Sequence, residues 1–332
     1  MDLRVRNFRV LEPLEKVGYN RPMNPNTQEL PRMKRILFPL IPAGVLLLLL
    51  LASEGVLRLV MPELGNPLVR DTTLNRIDWH QVNRRYLSKY FSPSVVQLPE
   101  LRTTVFRVKK QPNTVRILCL GESTMFGVPY QMSATIPAFV RKQLRHAYPH
   151  AEFEVINAAA SAINSNVILD LAKQFVAYEP DCVLLYAGHN EYYGPDGVSA
   201  TWIERTFPVL IRFKYAARDW YLMRLVERWT ASPDKSAAAN PNMMREVSKG
   251  TLVPLNSPDV EWVTENFERN IRELIRLLHS RNIPIIISDV TSNLLFAPFA
   301  SSRQGTPVLD DPRAPECQSL LDHDSLQTLL ER

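Results

Sequence analysis

Four short apolar runs alternate with amphipathic helical patterns between Thr114 and Ser288, and this alternation restricts the chain more than any other feature. Val115–Leu120 (VRILCL), Phe153–Ile156, Cys182–Ala187 (CVLLYA) and Ile283–Ser288 each read as a buried strand, because strands covered on both faces are apolar almost throughout. A helix is predicted from about Ile136 to Tyr148. Thr135 is its N-cap, Pro137 suits its first turn, and Ile136, Phe139, Val140 and Leu144 share its inward face. A second helix, Val167–Tyr178, turns Val167, Ile168, Leu171 and Phe175 inward, and Val260, Val263, Phe267, Ile271, Leu274 and Leu278 trace a third. Strand–helix–strand units with right-handed crossovers give a parallel sheet with helices on both faces, a three-layer α/β domain. No internal repeat is visible.

A second constraint lies upstream. Ile36–Ala52 (ILFPLIPAGVLLLLLLA) carries no charge and follows Lys34-Arg35 directly. As a helix it rises about 25 Å, the short end of what crosses a bilayer core. Cations before it and none within it predict a cytoplasmic N-terminus and a domain on the other side, the periplasmic side. Three readings stay open: an uncleaved anchor over 36–60, a signal segment cut near Ser53-Glu54-Gly55, or a buried core helix. The Leu46–Leu51 run has no polar face for solvent, and Val56–Val60 prolongs the apolar character, which favours the anchor. Met33-Lys34-Arg35 before the run also resembles a complete signal start, so the true first residue is Met1 or Met33.

The remaining segments are less regular. Residues 1–35 form a basic N-terminal segment. Residues 61–112, rich in Pro, Arg and Tyr, read as a stalk packed on the domain through Tyr86, Tyr90 and Phe91. The α/β domain spans 113–292. Within it 195–258 is an excursion in which Trp202, Phe207, Phe213, Tyr215, Trp220, Tyr221 and Trp229 interleave with Arg205, Arg212, Lys214, Arg218, Arg224 and Arg228. It fits a lid, ordinary packing or a membrane-facing surface, and Ala231–Asn242 reads as a polar linker. Residues 293–332 are a C-terminal extension, an apolar Pro-containing loop followed by a polar helix from about Cys317.

Net charge is +5, much of it before residue 36, so the rest of the chain is close to neutral and nucleic acid is not an expected partner. Three cysteines make no disulfide framework and no CxxC metal pair; Cys119 and Cys182 sit inside strand-like runs as small apolar residues. His146 and His150 stand four apart, but Pro149 intervenes and no further ligand is near, so no metal and no cofactor is expected.

Chemistry concentrates where ligands bind in open parallel sheets, beyond the carboxyl ends of the strands. The first strand runs into Gly121-Glu122-Ser123-Thr124, the second into Asn157-Ala158-Ala159-Ala160-Ser161, the third into Gly188-His189-Asn190-Glu191. Alone, such a Ser is usually a helix cap and such an Asn a turn residue. Together and in this order the three blocks resemble those of the SGNH, or GDSL-type, hydrolases: Gly-Asp-Ser, a Gly-containing loop, and Gly-x-Asn-Asp. Glu122 and Glu191 replace the Asp of the first and third blocks. The phrases GESTMFGVPY and GHNEYYG look like a membrane-anchored bacterial subgroup, and the resemblance covers residues 113–292.

The resemblance implies a flavodoxin-like sheet, a serine esterase activity and a set of roles. Ser123 is the expected nucleophile. The backbone N–H groups of Ser123 and Ala159 and the side-chain amide of Asn190 are the expected oxyanion donors. Gly121, Glu122, Gly188, His189 and Glu191 are expected in support, with His189 at the variable position of its block. Ala159 stands where the family has Gly, and a positive φ there would be strained. A serine also needs a base, which the family supplies from an Asp-x-x-His block after a fifth strand. None of His80, His146, His150, His189, His279 and His323 follows Asp by three residues, and Asp322-His323-Asp324 has the residue types at the wrong spacing. The expectation is therefore a sheet without its last strand, a chain ending inside a helical insertion, and a histidine supplied by a missing C-terminal part or a partner chain. Two functions compete: an extracytoplasmic hydrolase of carboxyl esters or glycan O-acyl groups, impaired in this form, and a non-catalytic anchored module binding acylated glycans or a protein partner. A nucleotide-binding reading fails because no GxGxxG follows Leu120.

Overall fold

The computed structural model describes residues 32–91, 99–230, 253 and 257–291. The predicted Ala231–Asn242 linker, the 293–332 extension and His323 lie outside the described residues, as do residues 1–31. The chain divides into two units, Met1–Ser53 and Glu54–Arg332. In the first, residues from Arg32 onward are helical; this helix, α1, runs Arg32–Val60. Its stretch Leu40–Val60, with mean hydropathy 2.2, is long and apolar enough to cross a membrane.

The second unit is built on a four-stranded parallel sheet of β4 (Thr114–Gly121), β5 (Glu152–Asn157), β6 (Cys182–Tyr186) and β7 (Ile285–Ile287), in the order β5-β4-β6-β7. Side chains alternate across β4. Ile117 and Cys119 face a cluster with Phe153 and Val155, against which Val140 and Leu144 of α3 (Ile136–Ala147) pack. Leu118 and Leu120 face the opposite way into the larger core with α4 (Ser165–Phe175) and α8 (Pro258–His279). Period-two alternation with both faces covered is what makes VRILCL apolar throughout. Three layers result, with strand order 2-1-3-4 as in the start of the doubly wound order 2-1-3-4-5; no fifth strand lies among the described residues.

The helices match their predicted spans, with two differences in which faces are buried. Thr135 caps α3 by accepting the Ala138 N–H at 3.3 Å, but Phe139 is 53% exposed and Ile136 36%. The inward stripe is the buried Pro137 with the half-buried Val140 and Leu144, because α3 packs on β5 and that contact is narrower than its apolar residues span. On α8 the buried seam holds Asn266 and Asn270 beside Val263, Leu274 and Leu278, while Phe267 and Ile271 are half-buried.

Residues 61–112, read from sequence as a stalk of little periodicity, contain a three-stranded antiparallel sheet. It consists of β1 (Val69–Leu74), β2 (Ile77–Val82) and β3 (Val105–Arg107) in that order. Asn75 and Arg76, at φ 53° and 61°, close the β1–β2 hairpin in the left-handed conformation that a two-residue loop needs. Tyr86 and Tyr90 are buried in the main core and Phe91 packs on it, as predicted. The excursion after β6 folds into α5 (Trp202–Thr206), α6 (Val209–Ala217) and α7 (Tyr221–Thr230).

Candidate active site

Strand β4 crosses to β5 on one side and leads on to β6 on the other, so the topological switch point lies between β4 and β6. That is where open sheets of this kind form their ligand crevice. The chain places Ser123 and Asn190 directly after these two strands. Gly121 pairs in register with Tyr186, and the Glu122 N–H donates to the Tyr186 carbonyl at 3.3 Å. Glycine is required at 121, because a Cβ there would lie 2.3 Å from that carbonyl oxygen. Ser123 opens a one-turn helix, α2 (Ser123–Phe126), and is half-buried.

Glu122 organises the site. Its side chain is fully buried, and its carboxylate accepts three consecutive backbone N–H groups: Gly188 at 3.1 Å, His189 at 2.9 Å and Asn190 at 3.2 Å. Burial raises its pKa from the ordinary carboxylate value, and these three donors and the nearby His189 pull the other way. The residue before Ser123 thus fixes the loop that carries Asn190. Sequence reasoning assigned Glu122 only a supporting place and could not supply this contact.

Asn190 is 5% exposed, and its Nδ2 is buried with no hydrogen-bond partner among the described residues. A buried amide donor without an acceptor is costly and rare. Its neighbour Glu191 points the other way: it accepts the Ser165 N–H at 2.8 Å and the Ser165 hydroxyl at 2.6 Å at the start of α4. Burial, with the Glu122 charge adding to it, pushes the Glu191 pKa up to about 7. Asn270 donates to Ser165 Oγ at 3.0 Å and to Asn166 Oδ1 at 2.7 Å, extending the polar seam into α8.

His189 is hydrogen-bonded through one ring nitrogen. Its Nε2 lies 3.1 Å from the Thr291 carbonyl, which can only accept, so Nε2 carries the proton. Its Nδ1 is 3.9 Å from Glu122 Oε2. Thr291 in turn donates its N–H to the Tyr186 hydroxyl at 3.0 Å, which seals the loop after β7 onto the end of β6. No hydrogen bond joins Ser123 Oγ to a histidine or a carboxylate among the described residues. A competing nucleophile is excluded at Cys119, whose thiol burial pushes up to about 12.

The β5 loop departs from expectation. Ala159 is fully buried and does not adopt a positive φ, so its side chain is unstrained, but its N–H donates to Asn157 Oδ1 at 3.1 Å. The left-handed position of that loop is Ala162, at φ 58°. Ala158 and Ala160 donate to the carbonyls of Cys119 and Gly121, which ties this loop too to the end of β4. A glycine at 162 would have marked the turn; alanine left no signal.

Solved structures of esterases are similar to this chain. AlinE4, described as an SGNH-hydrolase family esterase, is 14% identical over 52% of this chain and 97% of its own, with a TM-score of 0.22. TesA is 17% identical over 48% of this chain and 99% of its own, with a TM-score of 0.22. A variant of Axe2, an acetyl xylan esterase from Geobacillus stearothermophilus, is 14% identical over 53% of this chain and 76% of its own, with a TM-score of 0.24. No protein-family model and no curated protein matches the chain.

Proposed function

We propose that this protein is a membrane-anchored serine ester hydrolase, its α/β unit outside the cytoplasm, acting on carboxyl esters or glycan O-acyl groups. The observation that carries the reading is the buried amide of Asn190 at the switch point, without a partner among the described residues, on a loop tied to Glu122, the residue before Ser123. A donor held ready without an acceptor suits an oxyanion that exists only during reaction. Ser123 Oγ adds to the ester carbonyl, the oxyanion takes the Asn190 N–H, the alcohol leaves, and water releases the acyl group from the serine. The Ser123 N–H is the second donor. Ala159 serves only if its N–H turns from Asn157. The base comes from outside the described residues, supplied by a partner chain or a missing C-terminal part, and turnover without it is weak.

A second reading, a non-catalytic module binding acylated glycans or a protein partner, draws on the absence of a base beside Ser123 among the described residues. A fluorophosphonate probe separates the two. The hydrolase labels at Ser123, and Ser123→Ala loses both labelling and p-nitrophenyl acetate turnover; a wild type that neither labels nor turns over leaves the binding module.

Anchoring is supported by Lys34-Arg35 before the apolar helix, which predicts the orientation. It is also supported by aromatic exposure on α5–α7, where Trp202 is 77% exposed, Phe213 71% and Trp229 78%. Glu54, near the end of α1, accepts the N–H groups of Tyr221 and Leu222, both at 3.1 Å, and so holds the start of α7.

A further inference from the structure

A cleft of about 400 Å³ runs along the outer edge of β5, between β3 and α3. β5 is the edge strand, and the lining extends from Glu152 at its start to Asn157 at its end. Asn157 also holds the Ala159 N–H in the loop beside the candidate site. Arg102, another lining residue, donates through Nε to the carbonyl of Phe126 at 3.4 Å, at the end of the helix that Ser123 opens. One end of the cleft therefore abuts the loops that carry Ser123 and Ala159.

Its polar lining is dominated by donors. Arg102, Arg107, Arg141 and Arg145 all border it. Among the described residues, Arg102, Arg107 and Arg141 have no carboxylate partner; Arg102 stacks on Phe126 at 4.1 Å and Arg107 on Trp79 at 5.0 Å. Of the two lining carboxylates, Glu154 is bonded to the buried Arg116 at 2.8 Å and to the Arg107 N–H at 2.9 Å. Glu152 lies only 3.9 Å from Arg145. Trp79 Nε1, a donor that cannot accept, is buried in the same wall with no partner among the described residues. The Arg107 and Arg141 guanidinium groups and the Trp79 indole N–H, with no acceptor on them among the described residues, suit a ligand that brings negative charge and acceptor oxygens, while Arg102 is already held by the carbonyls of Phe126 and Tyr130.

Building on the esterase reading, we infer that the alcohol part of the substrate is an anionic polymer, carrying carboxylates or phosphates, and that it lies along this cleft while its acyl ester reaches Ser123. Binding remote from the reacting bond then holds the ester in place. The test is titration calorimetry on the full chain in detergent micelles. Three probes are an oligogalacturonate, a glycerol phosphate oligomer and a neutral xylo-oligosaccharide. One or both anionic oligomers bind, more weakly as salt rises, and which one binds identifies the anion; the neutral one binds at least about tenfold more weakly. Arg107→Gln and Arg141→Gln each weaken anion binding about tenfold, while Arg276→Gln on the exposed side of α8 leaves it unchanged. Arg141 is exposed, so its variant retains the fold. Equal binding of the neutral oligomer, no binding of either anionic one, or indifference to both cleft variants overturns the inference. Fluorophosphonate labelling separates this from the esterase reading. Arginine-dependent binding with an unreactive Ser123 removes the hydrolase and leaves an anion-binding cleft; a reactive Ser123 without anion binding removes the cleft alone.

Discussion

The carboxyl end of the sheet and the α5–α7 excursion treat polar and apolar groups in opposite ways. At the sheet end, polar side chains are buried and bonded: Glu122 by three N–H groups, Glu191 by Ser165, Asn270 by Ser165 and Asn166. In the excursion, cations turn inward to partners, with Arg205 on Asp259, Arg212 on Glu273 and Lys214 on Asp196 and Glu204. Several large apolar groups stay outside, among them Trp202, Phe213 and Trp229, while Ile211 and Tyr215 of α6 are buried in the core. The first region is built to hold geometry and the second to present surface. Two buried side-chain atoms at the sheet end are left without a partner among the described residues, Asn190 Nδ2 and Asn164 Oδ1, and the proposed function uses the first.

Four substitutions sharpen or break this contrast. Glu122→Ala leaves three buried N–H groups without their acceptor. We expect a loss of at least about 3 kcal/mol in urea unfolding and no labelling of Ser123; a loss under about 1 kcal/mol would mean the carboxylate does not organise the loop. Asn190→Ala removes an amide nitrogen with no partner among the described residues, so stability changes by less than about 0.5 kcal/mol, whereas the rate of ester turnover falls about 10²- to 10³-fold. Equal damage to both would make Asn190 structural.

Glu191 gives a pH signature. Its folded pKa, about 7, lies above its ordinary value of 4.5, so between those values the folded state holds a proton that the unfolded state has released. The contribution is fully present below about pH 4.5 and is lost as pH rises through 7, a decline on the order of 3 kcal/mol. Glu191→Gln removes that decline from the stability–pH curve; an unchanged slope contradicts it. The smallest effect is expected in the excursion. Trp229→Ser shifts stability by less than about 0.5 kcal/mol. In proteoliposomes, brominated lipid quenches single-tryptophan versions retaining Trp202 or Trp229 more than one retaining Trp262. Equal quenching of all three removes the membrane-facing reading.

Much of the fold was legible because β4, β5 and β6 are covered on both faces and announce themselves as apolar runs. The hairpin of β1 and β2 was not. Its loop has Arg76 where a glycine would signal the turn, and β2 pairs with β3 through Trp79 and Arg107, far apart in sequence. The face of α3 was misjudged because apolar periodicity shows which residues share a side, not how wide a neighbour lies there. At the site, Ser123 and Asn190 were legible from their places after strands. The clamp by Glu122 and the seam of Asn266 and Asn270 were not, since a buried polar group declares itself only through partners: 66 to 68 residues away for Glu122 and about 100 for the asparagines. Ala162, holding a left-handed φ without being glycine, was equally silent.

The central claim is that Ser123 and Asn190 serve one reacting group. A crystal structure of the chain after reaction with a phosphonate probe tests it directly. The account predicts a covalent adduct on Ser123 Oγ with a phosphonyl oxygen about 2.7–3.1 Å from Asn190 Nδ2. An adduct on another residue, or one on Ser123 whose oxygens face away from that amide, contradicts it.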